Sequence, residues 1–258
     1  MRVAVIIAGQ LREWHRSAEP MFKYFSSQSD NVDYYFATWY VTRDYWWPEH
    51  ISERTERPVL YTEITDVFAQ HNQRLIDFQI VESIPRENIT YYYQGYLTKL
   101  ANIAKRKYEL ENNFVYDQVV VIRPDLYISY KKHQWALCND YEYNIGPMYN
   151  DHNGVLSIED FYFRSNSWTN DILSARNLIR ADQKSQFIFS SEMDHSLLPC
   201  NHQTLSEWLL RRNLLYKPND DYDFCFIIRP NFPKDLSTLS IAQAQQLDSE
   251  YIAYQWTE

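Results

Sequence analysis

Glycine is nearly missing from this chain: 258 residues contain only Gly9, Gly95, Gly146 and Gly154. No two of them can build a G-x-G-x-x-G turn or a G-x-x-x-x-G-K phosphate loop, which excludes P-loop and dinucleotide-fingerprint enzymes. Cysteine is almost as scarce. Cys138, Cys200 and Cys225 are odd in number, far apart and without a C-x-x-C pair, so they form neither a disulfide framework nor a thiolate zinc site. A reducing, cytoplasmic setting is the expectation. Long apolar runs are absent too. The stretch Met1–Gly9 is too short to span a bilayer and lacks a signal-peptide cleavage region, so it is expected to be the first strand. Basic charge is in deficit, with a formal net charge of −9, which argues against a surface that coats nucleic acid. The one dense basic run, Lys105-Arg106-Lys107, lies among Glu109 and Glu111 and reads as the solvated face of a helix.

What is present is apolar and aromatic. Hydrophobic residues make up 45% of the chain, enough for a folded core in one large domain. There are 22 Tyr and 8 Trp. Their flat faces suit sugars and nucleobases while their polar tips stay wet, although most are expected simply to fill the core. The segment from Trp39 to Trp47, with Tyr40, Tyr45 and Trp46 between, fits either the floor of a sugar or base site or a loop folded over the core.

The periodicities predict an alternating first half: strand Arg2–Ile7, helix Ser17–Phe25, strand Val32–Ala37, helix Glu63–His71, strand Phe78–Val81, helix Gln94–Asn112 and strand Val119–Ile122. In the long helix Tyr96, Leu97, Leu100, Ile103, Ala104 and Tyr108 form the expected apolar stripe. This order implies an α/β fold with a mostly parallel sheet and right-handed crossovers. The second half is mixed, with short strands at Tyr141–Ile145, Val155–Ile158 and Phe161–Arg164, a helix from Ser167, a helix at Gln203–Arg212 and a late strand at Tyr222–Ile228. The two halves, 1–129 and 130–258, are expected to share one sheet in a single domain.

The chemistry concentrates at strand ends. Val119 to Ile122 run into Arg123-Pro124-Asp125, where the proline stops the strand and a guanidinium and a carboxylate arrive together. Asp125 either caps the following turn or faces a ligand beyond the carboxyl edge of the sheet. The first strand ends in Ala8-Gly9-Gln10-Leu11-Arg12. Gly9 would permit close backbone approach by a ligand, and the fork of Arg12 would reach a phosphate. Two arginines and a carboxylate at one sheet edge suit a diphosphate with Mn²⁺ or Mg²⁺, ions that take carboxylate, phosphate and water oxygens. Asp151, His152, Glu159, Asp160, Glu192, Asp194, His195, His202 and Glu207 are further candidates for a base or ligand. None has a diagnostic metal spacing. Asp160, beside Phe161-Tyr162-Phe163, and Glu207, beside Trp208, rank highest.

The ordered motifs VAVIIAGQLREW, YYFATWY, YQGYLTKLANIAKRKYELEN, YDQVVVIRPDLYI, IEDFYFRSN and LSEWLLRRNLLYKP resemble a group of small bacterial and viral GT-A-type glycosyltransferases associated with surface-polysaccharide biosynthesis. The resemblance runs over roughly residues 2 to 218. It implies a GT-A-like, Rossmann-like sheet whose N-terminal half holds a nucleotide-sugar donor, UDP-linked by preference, and whose second half holds a glycan or other hydroxyl acceptor. It places Ala8, Gly9, Gln10 and Arg12 along the nucleotide, Thr38 and Trp39 at the base or ribose, and Lys99 toward the same cleft. Asp125 takes the position of the last Asp of a D-x-D metal motif, with Arg123 where the first Asp is expected. Asp160 and Glu207 match later acidic positions that supply an acceptor base. The implied activity is hexosyl or pentosyl transfer. A non-catalytic carbohydrate-binding protein and another Mg²⁺- or Mn²⁺-dependent nucleotide-phosphate enzyme are the alternatives.

Overall fold

The computed structural model describes residues 1–43, 56–82, 93–128, 135–140, 142–145, 148–150, 156–158, 162–175, 215–217 and 225–227, with isolated positions between 233 and 247. In chain order the elements are β1 (Arg2–Ala8), α1 (Trp14–Gln28), β2 (Asn31–Trp39), β3 (Val41–Arg43), β4 (Glu56–Pro58), α2 (Thr62–Gln70), β5 (Arg74–Val81), α3 (Tyr93–Glu111), β6 (Gln118–Ile122) and β7 (Leu126–Ile128). They are followed by β8 (Glu142–Ile145), β9 (Met148–Asn150), β10 (Leu156–Ile158), β11 (Tyr162–Ser165), α4 (Ser167–Ala175), β12 (Leu215–Lys217) and β13 (Cys225–Ile227).

Seven strands form the main sheet in the order β12-β8-β11-β6-β1-β2-β5. β1 pairs in parallel with β2 and β6, β2 with β5, and β8 with β12; only β11 runs antiparallel, against both β6 and β8. The expected α/β architecture with a mostly parallel sheet is the observed one. Strands from beyond residue 130 extend the sheet built by the first half. Pairs β9–β10, β7–β13 and β3–β4 form small antiparallel ribbons.

β1 shows why the sheet is covered on both faces. From Val3 to Ala8 it is wholly buried. Val3, Val5 and Ile7 join the cluster made with α1 and α2, whereas Ala4, Ile6 and Ala8 join the cluster made with α3 and α4. A strand buried on both sides needs no polar alternation, as expected for a parallel sheet. α1 buries Trp14, Ala18, Met21, Phe22 and Phe25 at helical spacing. Its rings interlock with those of β2 and α2: Trp14 meets Phe36 at 5.0 Å between centroids and Phe22 meets Phe68 at 5.0 Å. These aromatics are core.

α3 departs from its expected stripe. Ile103 is exposed, and the buried line runs through Leu97, Thr98, Ala101, Asn102, Lys105 and Glu109. Lys105 is therefore not on a solvated face. Its Nζ lies 3.1 Å from Asp171 of α4 and 3.5 Å from Glu109, and it also donates to the Ser167 hydroxyl. Asn102 continues the polar seam, donating to Asp171 at 3.0 Å and accepting from Asn170 at 2.6 Å. Helical spacing alone placed Lys105 outward with Arg106 and Lys107; α4, packed on that face, supplies the carboxylate that makes its burial tolerable.

Candidate functional site

At the carboxyl edge of the sheet, three chain exits stand side by side. β1 lies between β6 and β2, with Ile7 opposite Ile122 and Ala8 opposite Ala37. Gly9-Gln10 and Arg123-Pro124-Asp125 thus leave the sheet at one level, beside Thr38-Trp39, where β2 runs on past β1 and pairs only with β5. From β1 the chain crosses through α1 to β2 on one side, while β6, reached through α3 on the opposite face, lies on the other. This is a topological switch point, where open α/β sheets form a crevice beyond their strand ends.

Gly9 is required here for a reason different from the one its sequence position suggested. It has φ +150°, and a Cβ built on it would stand 3.0 Å from Cδ of Pro124. Its N–H donates to the Ala37 carbonyl at 3.2 Å. The close approach that Gly9 admits is that of Pro124 in the neighbouring exit. Pro124 is held in turn by the buried Ser17, whose hydroxyl donates to the Pro124 carbonyl and to that of Trp14. Thr42, also buried, donates to the Leu11 carbonyl at 2.9 Å. Ser17 and Thr42 therefore fix the two turns of the site. Neither stood out in the sequence, because a Ser in a helix and a Thr in a strand carry no spacing signal.

Arg123 and Asp125 meet in a bidentate pair, with Nε to Oδ1 at 2.8 Å and a terminal nitrogen to Oδ2 at 2.7 Å. Their side chains are only 10% and 2% exposed. This fork-on-fork geometry is the strongest protein ion pairing, and it uses two of the five N–H donors of the guanidinium. It also bears on a cation. Both carboxylate oxygens of Asp125 already accept from Arg123, and among the described residues no group of three His, Cys, Asp or Glu side chains could hold a metal ion. The described residues do not by themselves fit a divalent cation. Asp160 and Glu207, like Asp151, His152, Glu159, Glu192, Asp194, His195, His202 and the segment from Asp44 to Trp47, lie outside the described residues.

Around this pair the edge is polar and aromatic. Thr38 Oγ1 and Gln10 Oε1 are buried and have no hydrogen-bond partner among the described residues. A buried polar atom left so costs about 1–3 kcal/mol, which a bound polar ligand would recover. Trp39 stacks on Tyr96 of α3, with centroids 6.4 Å apart and planes at 14°. Lys99 follows one turn later and is half-buried. The Tyr96 ring, expected only as core, thus belongs to the site edge. Arg12 is half-buried just before α1. That helix begins after Glu13, in a left-handed conformation at φ 47°, with no side-chain cap and no acidic residue in its first turn. The Ala8 side chain instead packs into the core under α3.

No family model matches this chain, and no curated protein matches it. Among solved structures it is similar to the apo form of the glycosyltransferase GlyE of Streptococcus pneumoniae TIGR4, with a TM-score of 0.41 and 13% identity. That similarity covers 85% of this chain and 45% of the other, so the chain spans under half the length of that neighbour. It is also similar to a glycosyltransferase involved in glycosylation of the major capsid protein of PBCV-1, with a TM-score of 0.38, 10% identity and coverage of 85% and 83%. At these scores neither likeness gives any residue of this chain a role.

Proposed function

We infer that this protein is a GT-A-type glycosyltransferase that moves a hexosyl or pentosyl group from a nucleotide-diphosphate sugar, UDP-linked by preference, to a hydroxyl of a glycan acceptor. The observation that carries the reading is the buried Arg123–Asp125 pair standing beside the Gly9–Arg12 turn at the switch point of the sheet. A diphosphate laid across these exits would meet the guanidinium groups of Arg12 and Arg123 and the uncapped start of α1, a combination suited to anions. The unpartnered oxygens of Thr38 and Gln10 and the Trp39–Tyr96 stack suit a ribose and a base at the neighbouring exit.

In such a reaction the bond between the anomeric carbon and the diphosphate oxygen breaks as the acceptor oxygen bonds to that carbon. The diphosphate departs with the electron pair. Preorganised positive charge at that developing oxyanion is usually the largest catalytic contribution. Arg12 and Arg123 are assigned that part, and Lys99 is assigned a supporting charge at the same cleft. Asp160 or Glu207 is assigned the removal of the acceptor proton. If Mn²⁺ or Mg²⁺ takes part, Asp125 would be its protein ligand at the expense of the pairing with Arg123, and the ion would supply positive charge to the leaving diphosphate. Residues 1–129 are assigned to the donor and 130–258 to the acceptor, and a cytoplasmic role in polysaccharide biosynthesis accompanies the reading.

A thermal-shift screen against nucleoside diphosphates, with and without Mn²⁺, tests it. Binding to the native state at about 100-fold excess over Kd contributes about 2.7 kcal/mol, so UDP should raise Tm by roughly 5–10 °C. Arg12→Ala should abolish most of that rise. A protein that no nucleoside diphosphate stabilises, with or without the cation, does not carry this site. Stabilisation without any slow hydrolysis of a UDP-sugar would instead identify a non-catalytic binding protein.

A further inference from the structure

The end of the sheet opposite the strand exits carries a cleft that lies outside the donor site and contains none of the residues assigned to the transfer step. It has a volume of about 580 Å³ and lies where β6 begins and β11 ends, bounded by the segments 115–117, 137–140 and 166–168. Asp117 and Arg123 bracket the five-residue β6, so the cleft is about 20 Å from the candidate donor site. The volume falls within the roughly 300–1,000 Å³ typical of small-ligand sites.

Its lining is unusual in chemistry. Trp168 and Leu137 project at 52% and 57% exposure. Between them stand Asp117, Asn139, Asp140 and Asn166, and among the described residues no Lys or Arg side chain lines the cleft. Two carboxylates in such a lining disfavour phosphate and other anions. An exposed indole flanked by amides and carboxylates suits a neutral polyol: the ring takes an apolar C–H face, and the oxygens and amides take hydroxyl groups.

The rim is held in place before any ligand arrives. Asn166 caps α4, accepting from the Thr169 N–H at 2.8 Å, and its amide donates to Asp140 at 2.7 Å. The Asn139 N–H donates to Glu142 at 2.7 Å. Beneath the cleft, Glu109 accepts from the Ser167 hydroxyl at 2.6 Å and the Tyr116 N–H at 2.9 Å, and Lys105 also donates to Ser167. The buried ion network of α3 therefore anchors the two segments that carry Trp168 and Asp117. A rim fixed in this way loses little freedom on binding.

We propose that this cleft is a secondary saccharide-binding site, in which Trp168 is the stacking platform and Asp117, Asn139 and Asp140 receive the hydroxyl groups of a neutral oligosaccharide. The assignment stands independently of the donor site. Ligand-observed NMR with maltotriose, cellotriose and chitotriose, each at millimolar concentration, tests it on the full chain. At least one should bind, with affinity reduced at least tenfold in Trp168→Ala and largely restored in Trp168→Phe. Binding should persist in Arg12→Ala and in the presence of saturating UDP. Because Trp168 is half-exposed, its truncation leaves the core intact, and an unchanged Tm verifies that. The proposal is overturned if none of the three trisaccharides binds, if Trp168→Ala binds as well as the parent, or if UDP displaces the sugar. It is equally overturned if sedimentation shows self-association that Trp168→Ala abolishes, since the cleft is then an interface between copies of the chain.

Discussion

Gly9 has no Cβ, and its surroundings explain why. Its φ of +150° is one that L side chains rarely adopt, and the space a Cβ would take is 3.0 Å from a proline ring rather than from a flexible side-chain tip. Gly9→Ala should therefore destabilise the protein by about 1–3 kcal/mol, through backbone strain and the displaced Pro124 exit together. Urea unfolding monitored by tryptophan fluorescence measures this; an unchanged midpoint would show that the exit relaxes without cost. The Arg123–Asp125 pair makes a second prediction at this scale. Breaking a buried pair by removing one partner costs about 3–5 kcal/mol, because the remaining charge is left uncompensated. Asp125→Ala and Arg123→Ala should each cost that much, while the double variant should cost clearly less than their sum. Additive losses in the double-mutant cycle would mean that the two side chains act separately. Both residues were visible in the sequence as a strand end bearing opposite charges. That they satisfy each other was not, because residues i and i+2 share one face of an extended chain and either side chain could equally have turned to a ligand beyond the sheet edge; here Pro124, held by Ser17, sets the turn in which the two pair.

At the scale of elements, α3 and α4 are joined through buried charge as well as through the apolar cluster they share. Burial pushes the Lys105 ammonium down despite the neighbouring Asp171 and Glu109. Burial pushes the Glu109 carboxyl up, but Lys105, the Ser167 hydroxyl, the Tyr116 N–H and Arg106 together outweigh it, and the group is held below its ordinary value of 4.5. The folded state thus binds the Glu109 proton less well than the unfolded chain does. The associated stability is fully present above the unfolded value and is lost as pH falls through the lower folded one. Stability of the parent protein should therefore decline below about pH 4.5 more steeply than that of Glu109→Gln, which is already weakened at neutral pH. Urea midpoints between pH 3 and 7 measure the difference, and parallel curves would remove Glu109 from the acid response. The periodicity of α3 was legible as a helix from its spacing. Which face turned inward was not, because Ile103 and Lys105 are both compatible with a stripe until the position of Asp171 on another helix is known.

Across the whole molecule, burial is greatest along β1 and β6, which lie in the middle of the main sheet and are covered on both sides. The backbone amides of Val3–Ala8 and Val119–Ile122 should be the slowest to exchange with deuterium, opening only with global unfolding, while those of β3 and β4 exchange by local opening. Exchange mass spectrometry at peptide resolution decides this, and uniform protection across these segments would contradict it. No helix among the described residues is long and apolar enough to cross a membrane. The same central strands set the two ends of the molecule apart: the charged exits lie at their carboxyl edge, and the Trp168 cleft lies where β6 begins.

Amino-acid order alone determined the alternation of strands and helices through the first half, since β-branched runs and 3.6-residue periodicity are local properties that persist whatever they pack against. It also marked Arg123, Asp125, Gly9 and Arg12 as strand-end residues. Tertiary structure decided what those residues touch. Only the sheet order brings the exits of β1 and β6 to one level beside β2, turns Gly9 against Pro124, stacks Trp39 on Tyr96 and buries Lys105 beside Asp171. Each of these contacts joins residues distant in sequence, so its energy depends on which elements become neighbours, and that is settled by the burial of both faces of the sheet at once.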